Sequence, residues 1–285
     1  QRNPEQYERI KQRVAEGRWE TEGGMWVEAD CNLTSGESLA RQFLFGKRFF
    51  KEEFGKENVI LWLPDVFGYS GALPQIMKKS GIKYFMTTKL AWNQFNKVPT
   101  DTFWWEGIDG SKVFTHLITT LGVGQPETSF FTTYNGMLHP DALMGGWNRY
   151  QNKEFNNDIL ISYGFGDGGG GPTREMLEYG KRMSKGIQGC PVVKQTRSLD
   201  FFKHLEKILC VADAISYAVK LKSVFHHNQD SVCLSVYNSA LIGGADHSGI
   251  ALQVTGDIFL LLDRHFGTAL LHLLVADLQL DLIGG

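Results

Sequence analysis

The chain has 285 residues, of which 42% are hydrophobic and 21% are charged, and its formal net charge is −2. Such a composition is ordinary for a soluble globular protein, and the small charge argues against a surface for nucleic acid or for an anionic membrane. The four cysteines show no CxxC spacing, so neither a zinc knuckle nor a redox pair is indicated. With no signal-peptide pattern at the start, and with charges inside the apolar stretch near the end, we expect a cytoplasmic protein without a membrane span.

Helix and strand patterns alternate along the first part of the chain. Residues 1–17 predict a helix, and residues 25–28 predict a short strand. Thr34 and Glu37 have the spacing of a capping box, which predicts an amphipathic helix that begins there and continues to Phe54.

The next segment predicts a strand, a helix and a second strand. The apolar run Val59–Leu63 is typical of a strand that is buried on both faces. Residues 73–79 have helical spacing and end near Gly81, and residues 83–87 predict the second strand. Such a βαβ unit has parallel strands.

The remaining elements extend the α/β pattern as far as Lys207. We predict strands at 103–105, 112–117 and 159–163, a long loop at 119–134, helices at 141–150 and from Pro172 to 183, and a last strand and helix within 192–207. The expected fold over residues 1–207 is therefore α/β, with parallel βα repeats in a sheet or barrel. Residues 208–285 lose the alternation, and their architecture stays unassigned.

Three aspartates each follow a predicted strand at its carboxyl end: Asp30, Asp65 and Asp167. In a parallel sheet or barrel these ends lie on one face, so the three carboxylates would come together there. Glycoside hydrolysis requires two such carboxylates, one to attack the anomeric carbon and one to protonate the leaving oxygen. The alternative for each aspartate is a structural role, in which it caps the following helix or accepts backbone N–H bonds.

Loops near the same strand ends are rich in aromatic residues and glycine. Aromatic rings suit the C–H faces of sugars, which makes Tyr69, Trp92 and Tyr134 candidates for binding a substrate, with core packing as the alternative. Glycines 168–171 lack the spacing of a phosphate-binding loop, so they indicate a close approach to a ligand or a tight turn. The histidines show no clear metal-ligand spacing, and we expect a local role for His139.

Several segments together resemble glycoside hydrolase family 38, the zinc-dependent retaining α-mannosidases, and most of all its bacterial and cytosolic branch. The segments are GRWETEGGMWVEADCN at 17–32, LWLPDVFGYSGALPQ at 61–75, DTFWWEGIDGSKVFTH at 101–116, TTYNGMLHPDA at 132–142 and YGFGDGGGGPTREMLEYGKRM at 163–183. They occur in the family's order between Gln1 and Lys207. The resemblance implies part of a glycoside hydrolase catalytic domain, an α/β-barrel-like domain that in the family precedes a helical domain and β-sandwich domains.

The resemblance also implies roles for individual residues. Asp65 matches the family's nucleophile, which forms the covalent mannosyl-enzyme and also contacts zinc. Asp167 falls at the position of the general acid/base, and Asp30 matches an acidic position that lines the sugar site. The implied reaction is retaining hydrolysis of terminal α-D-mannosides in oligosaccharides, with Zn²⁺ holding two sugar hydroxyls.

The sequence departs from the family where zinc is bound. The family's first strand carries a His-x-Asp-x-x-Trp motif with two zinc ligands, and its counterpart would lie upstream of Gln1, so we expect a domain that is incomplete at its N-terminus. A further histidine ligand has only a faint counterpart in His226 and His227.

Of the four expected zinc ligands, Asp65 alone can be identified, so we expect weak zinc binding and weak or absent activity from the isolated chain. The alternatives are a non-catalytic carbohydrate-binding module and a pseudoenzyme fragment. A homo-oligomer is compatible with the sequence.

Overall fold

The structure is a computed structural model that describes residues 3–91, 98–120, 133–168 and 170–209. The described elements belong to a compact unit of residues 1–208, apart from the last residue of the final helix. The segment 208–285, whose architecture the sequence left unassigned, lies almost wholly outside this description.

Four strands form one sheet in the order β1-β2-β4-β3. They are β1 (Ile60–Trp62), β2 (Tyr84–Thr87), β3 (Thr102–Glu106) and β4 (Lys112–Leu117). Both β1 and β4 pair with β2 in parallel, whereas β3 and β4 form an antiparallel hairpin. The central strand β2 is buried along its whole length, as expected of a parallel strand that is covered on both faces. The predicted βαβ unit and the predicted hairpin are confirmed.

The helices match the predicted ones closely. They are α1 (Pro4–Ala15), α2 (Gly36–Phe54), α3 (Leu73–Lys79), α4 (Pro140–Arg149), α5 (Arg174–Met183) and α6 (198–209). The predicted start of α2 is wrong by one residue, because Ser35 and not Thr34 is its cap and accepts the Ser38 N–H. Gly55, with a φ of +64°, ends this helix.

One face of the sheet packs against α2 and α3. Leu39 and Phe43 of α2 and Met77 of α3 share a buried cluster with Leu61 and Phe85 of the sheet. Each large apolar side chain that is fully buried in this way contributes roughly 1.5–3 kcal/mol relative to an exposed one. This cluster lies beneath the loop that leaves β1.

The opposite face of the sheet packs against α6. Phe202 stacks on Tyr84 with ring centroids 5.1 Å apart, and Phe201 contacts His116 at 4.9 Å. Tyr84 and Phe85 are neighbours in β2 and contact opposite helical layers, since successive side chains of a strand point to opposite faces. The sheet therefore lies between helices, as in α/β proteins.

Three predicted strands are wrong. Residues 25–27 form bends, residue 28 has no regular structure, and beside them a single bridge joins Gly23 to β1. Residues 159–163 also make one bridge, and Ile161 and Tyr163 pack against a second buried cluster between α4 and α5. Residues 192–197 form no ladder. A short apolar pattern alone does not distinguish a strand from an irregular segment, which explains these errors.

The outer strands of the sheet are β1 and β3. Within the described ranges the sheet does not close on itself, so a mixed α/β fold is confirmed and the barrel stays a prediction. In the same part of the chain, no helix is both long enough and apolar enough to cross a bilayer.

Candidate active site

Asp65 lies on the loop that leaves the carboxyl end of β1, and the end of β2 holds this loop in place. The Leu63 N–H donates to Met86 O at 3.1 Å, and the Thr88 hydroxyl donates to Pro64 O at 2.6 Å. The parallel pairing of the two strands thus continues past their ends. It fixes the backbone immediately before the carboxylate.

Tyr69 supports the same loop from inside the core. Its hydroxyl donates to Leu63 O at 2.9 Å and lies 2.6 Å from Thr87 Oγ1. Its ring meets that of Phe85 edge-on, with centroids 4.9 Å apart. Burial raises the pKa of Tyr69. These contacts position the Asp65 loop, while a contact of Tyr69 with substrate stays a prediction.

A buried lysine pairs with Asp65. Lys89 begins a short 3₁₀ turn, Lys89–Ala91, just after β2, and its Nζ lies 2.8 Å from Asp65 Oδ1. The lysine side chain is 6% exposed, and that of Asp65 is 38% exposed. The same Nζ lies 4.6 Å from the ring centroid of Phe67 and 5.2 Å from that of Tyr134, both within cation–π range.

Tyr134 connects this ion pair to Asp167. Its hydroxyl donates to Asp167 Oδ1 at 2.8 Å, and the side-chain amide of Asn135 donates to Oδ2 at 3.3 Å. The hydrogen bond to Asp167, burial and the negative charge of Asp65 raise the pKa of Tyr134 to about 12. The fold therefore gathers two of the predicted aspartates and one predicted aromatic residue around Lys89.

Asp167 lies in a tight turn of glycines. Two backbone hydrogen bonds between Phe165 and Gly171, at 2.8 and 2.7 Å, close this turn. Asp167 has a φ of +53°, a left-handed conformation that costs energy for residues other than glycine. The tight turn is one of the two roles that the sequence left open for the glycines. Helix α5 begins at Arg174, two residues after its predicted start at Pro172.

Asp30 has a local structural role. Its carboxylate accepts the N–H groups of Asn32 at 2.9 Å and of Leu33 at 2.7 Å. The bond from Leu33, followed by that from Asn32, lowers the pKa of Asp30. This role is the alternative that the sequence left open for strand-end aspartates, and a contact of Asp30 with sugar stays a prediction.

The sequence analysis missed two charged residues of this site, Glu28 and Lys89. The pKa of the Glu28 carboxyl is raised, chiefly by burial, and the nearby backbone of Asp65 opposes this shift. Lys89 follows β2 as Asp65 follows β1, so the rule that selected the aspartates would have selected this lysine if it had been applied to basic residues. Glu28 stands two residues before Asp30 in the same segment.

Most of the chain matches one enzyme family. The family model of the glycosyl hydrolases family 38 N-terminal domain matches residues 1–227. The chain belongs to this family. Alpha-mannosidase G of Dictyostelium discoideum is 45% identical to this chain over 203 residues, and alpha-mannosidase 2C1 of Homo sapiens is 43% identical to it over 205 residues. These matches cover 71% and 72% of the chain but 18% and 19% of the relatives, so the chain spans less than a fifth of their length.

A solved α-mannosidase has a similar fold. The crystal structure of an alpha-mannosidase from Enterococcus faecalis V583 aligns with this family 38 chain with a TM-score of 0.53 and 20% identity. The alignment covers 72% of this chain and 22% of the other. At this level of identity the similarity concerns the fold alone.

Zinc is the cofactor that the resemblance to family 38 implies. Among the residues that the structure describes, no group of three or more His, Cys, Asp or Glu side chains could hold a metal ion. Structural and catalytic zinc sites have at least three protein ligands. Those residues by themselves therefore do not fit Zn²⁺, and the cation next to Asp65 is the Lys89 ammonium.

Two histidines of this chain have local roles, and the remaining candidate residues lie outside the described ranges. His116 is buried against Thr102 Oγ1 at 2.9 Å, and burial lowers its pKa to about 3. His139 caps α4 by accepting the Asp141 N–H, the local role that was expected of it. Residues outside the described ranges include Trp92, His226 and His227, which stay predictions.

Proposed function

We propose that this chain is part of the catalytic domain of an α-mannosidase that hydrolyses terminal α-D-mannosides in oligosaccharides with retention of configuration. Membership of family 38 supports the reaction class, and the names of the relatives support the sugar. One observation carries the proposal: Lys89 and Tyr134 join Asp65 to Asp167. These aspartates are the two carboxylates that the resemblance assigns to catalysis.

In the proposed first step, the Asp65 carboxylate attacks the anomeric carbon. The bond from this carbon to the leaving oxygen breaks, an ester bond forms between Asp65 and mannose, and the carboxylic acid of Asp167 gives its proton to the leaving oxygen. In the second step Asp167 takes a proton from water, whose oxygen attacks the anomeric carbon and releases the Asp65 carboxylate. Two inversions at the same carbon give net retention.

The metal, the partners and the location belong to the proposal as well. We expect Zn²⁺ to bind weakly to the isolated chain, with Asp65 as a ligand, because a single carboxylate holds zinc poorly. No step above is assigned to the metal. An oligosaccharide partner, a cytoplasmic location and a homo-oligomer stay predictions.

Hydrolysis of an aryl α-mannoside tests this proposal, with and without added Zn²⁺. The purified chain is compared with Asp65→Asn, Asp167→Asn and the control Asp109→Asn, whose carboxylate bonds Ser111 in the β3–β4 turn. Loss of a nucleophile costs several powers of ten, so we expect at least about a thousandfold lower kcat for Asp65→Asn and an unchanged control. We also expect the mannose that NMR detects first to be the α-anomer.

Two results would overturn the proposal. One is release of β-mannose as the first product, because it would show inversion. The other is an Asp65→Asn variant that is as active as the control. The test depends on the ratios of kcat between the variants, because the isolated chain is expected to be weakly active.

A second candidate function is carbohydrate binding without turnover. Two rings beside the carboxylates are exposed, Phe67 by 61% and Phe165 by 48%, and such rings can stack on sugars. Mannose binding that persists in Asp65→Asn, persists after chelation and occurs without turnover would favour this function. A chain that neither binds nor hydrolyses mannosides would be a pseudoenzyme fragment.

A further inference from the structure

Lys89 contacts Asp65 directly and is linked to Asp167 through Tyr134. We propose that Lys89 is a positioning residue that holds the Asp65 carboxylate in the orientation required for attack on the anomeric carbon. This inference rests on the proposed function of Asp65 and adds the residue through which the fold controls that carboxylate.

The burial of the ion pair is asymmetric. The ammonium is almost fully enclosed, and a buried charge is tolerated only when other groups compensate for it. Here Asp65 Oδ1 at 2.8 Å and the rings of Phe67 and Tyr134 provide compensation. The Asp65 side chain is 38% exposed. The pair is therefore anchored on the protein side and open on the side from which a sugar can approach.

The backbone of Lys89 is held by the contacts that also hold the Asp65 loop. The Lys89 N–H donates to Thr87 Oγ1 at 3.2 Å, and this same oxygen lies 2.6 Å from the Tyr69 hydroxyl. The neighbouring Thr88 hydroxyl donates to Pro64 O. A shift of the Asp65 loop or of the segment that carries Lys89 would break these bonds together with the ion pair. The ammonium and the carboxylate therefore form one rigid unit.

A cation at Oδ1 has two consequences for the proposed reaction. It restricts rotation of the Asp65 carboxylate, and a misplacement of about 1 Å in a reacting group can cost 10²-fold in rate. It also stabilises the carboxylate that departs in the second step, when negative charge returns to it. Loss of this cation should therefore slow release of mannose and let the mannosyl-enzyme accumulate.

The test compares Lys89→Met, Lys89→Arg and Lys47→Met in the full chain. Lys47 is a matched control, because it is also mostly buried, at 19% exposure, and its Nζ donates to Ser80 O at 2.7 Å in another part of the unit. For Lys89→Met we expect a kcat lowered by about 10²-fold and a KM that falls with it, because a mannosyl-enzyme that accumulates lowers KM. Mass spectrometry during turnover should show more mannosyl-enzyme than in the wild type.

Lys89→Arg keeps the charge, and we expect it to recover at least about tenfold of the lost kcat. We expect Lys47→Met to leave kcat, KM and the amount of mannosyl-enzyme unchanged. If Lys89→Met fails to fold, as judged by thermal melting, Lys89→Gln replaces it with the same expectations, since glutamine keeps a donor without the charge.

Three results would overturn the inference. They are an unchanged kcat in Lys89→Met, a loss no greater than that of Lys47→Met, or a loss that Lys89→Arg does not reduce. A wild-type chain that neither binds nor hydrolyses α-mannosides would instead overturn the proposed function itself, and this inference with it.

Discussion

The two carboxylates of the candidate site are positioned in different ways. Asp65 follows a paired strand, and bonds to the end of β2 and from Tyr69 in the core hold its loop. Asp167 follows a segment that makes a single bridge and lies in a glycine turn, where Tyr134 and Asn135 donate to its oxygens. The sheet fixes one carboxylate, whereas a turn and two side chains fix the other.

This difference shows where substitutions should change stability and where they should change activity. Contacts on the sheet side, meaning those that β1, β2 and the packed helices make around the Asp65 loop, are buried and belong to the cooperative core. Their loss therefore lowers the free energy of unfolding. Asp167 is exposed, and contacts at exposed loops contribute little to global stability. The four predictions below test this contrast and run from the largest expected effect to the smallest.

On the sheet side, Gly46→Ala should have the largest effect on stability. A Cβ at Gly46 in α2 would lie 2.3 Å from the carbonyl carbon of Met25, and backbone cannot move aside as a flexible side chain can. Overpacking costs roughly 1–3 kcal/mol and sometimes more, so we expect the free energy of unfolding in urea to fall by about 3 kcal/mol.

Gly36→Ala is the matched control in the same helix, because the nearest atom to its Cβ is 3.9 Å away. We expect this control to lie within about 0.5 kcal/mol of the wild type. Equal stabilities for the two variants would show that α2 does not press against this backbone.

Glu22 directly precedes Gly23, the residue that bridges to β1. We expect Glu22 to make the free energy of unfolding depend on pH. Burial, with a smaller contribution from the charge of Glu20, raises its pKa from 4.5 to about 8. Between these values the folded state binds more protons than the unfolded state, so stability falls as pH rises. We expect the wild type to lose about 3 kcal/mol relative to Glu22→Gln between pH 5 and pH 8, measured by urea unfolding. Parallel pH profiles of the two proteins would contradict this assignment.

Two tyrosine hydroxyls allow a direct comparison of the regions. Tyr69→Phe removes a buried bond to Leu63 O and should lower the free energy of unfolding by about 1–2 kcal/mol. Tyr134→Phe removes a donor to an exposed carboxylate and should cost less than about 0.5 kcal/mol, yet lower kcat/KM by about tenfold or more. The two stabilities are measured in one urea series, and the reverse order would contradict the contrast between sheet and turn.

The smallest effect is expected at the turn itself. Because Asp167 has a φ of +53°, glycine should be preferred there over any residue with a Cβ. We expect Asp167→Gly to be more stable than Asp167→Ala by about 1 kcal/mol, with both inactive. Thermal melting of the two variants checks the difference, and an alanine variant as stable as the glycine variant would show that the turn carries no such strain.

The sequence predicted the sheet side of the site well. Val59–Leu63 is an apolar run bounded by Pro64, and its strong pattern correctly placed β1 and the loop of Asp65. The turn side was harder to predict, because Ile161 and Tyr163 pack against a cluster between α4 and α5 without forming a ladder. Asp167 was selected as a strand-end carboxylate although no strand precedes it.

Lys89 and Glu28 do not stand out among the charged residues of the sequence, because their importance depends on distant partners. A lysine after a strand is usually a solvated residue, since lysine is rarely buried. Only the approach of Asp65, Phe67 and Tyr134 turns Lys89 into a buried counter-ion. The environment of Glu28 depends in the same way on the nearby backbone and charge of Asp65.

Trapping the glycosyl-enzyme with an activated 2-deoxy-2-fluoro- or 5-fluoro-mannoside tests the central claim most directly. Peptide mapping by mass spectrometry then identifies the residue that carries the sugar. The account predicts a single ester on Asp65, which is absent from Asp65→Asn and present in the control Asp109→Asn. A label on another carboxylate, or α-mannoside hydrolysis that leaves Asp65 unlabelled, would contradict it.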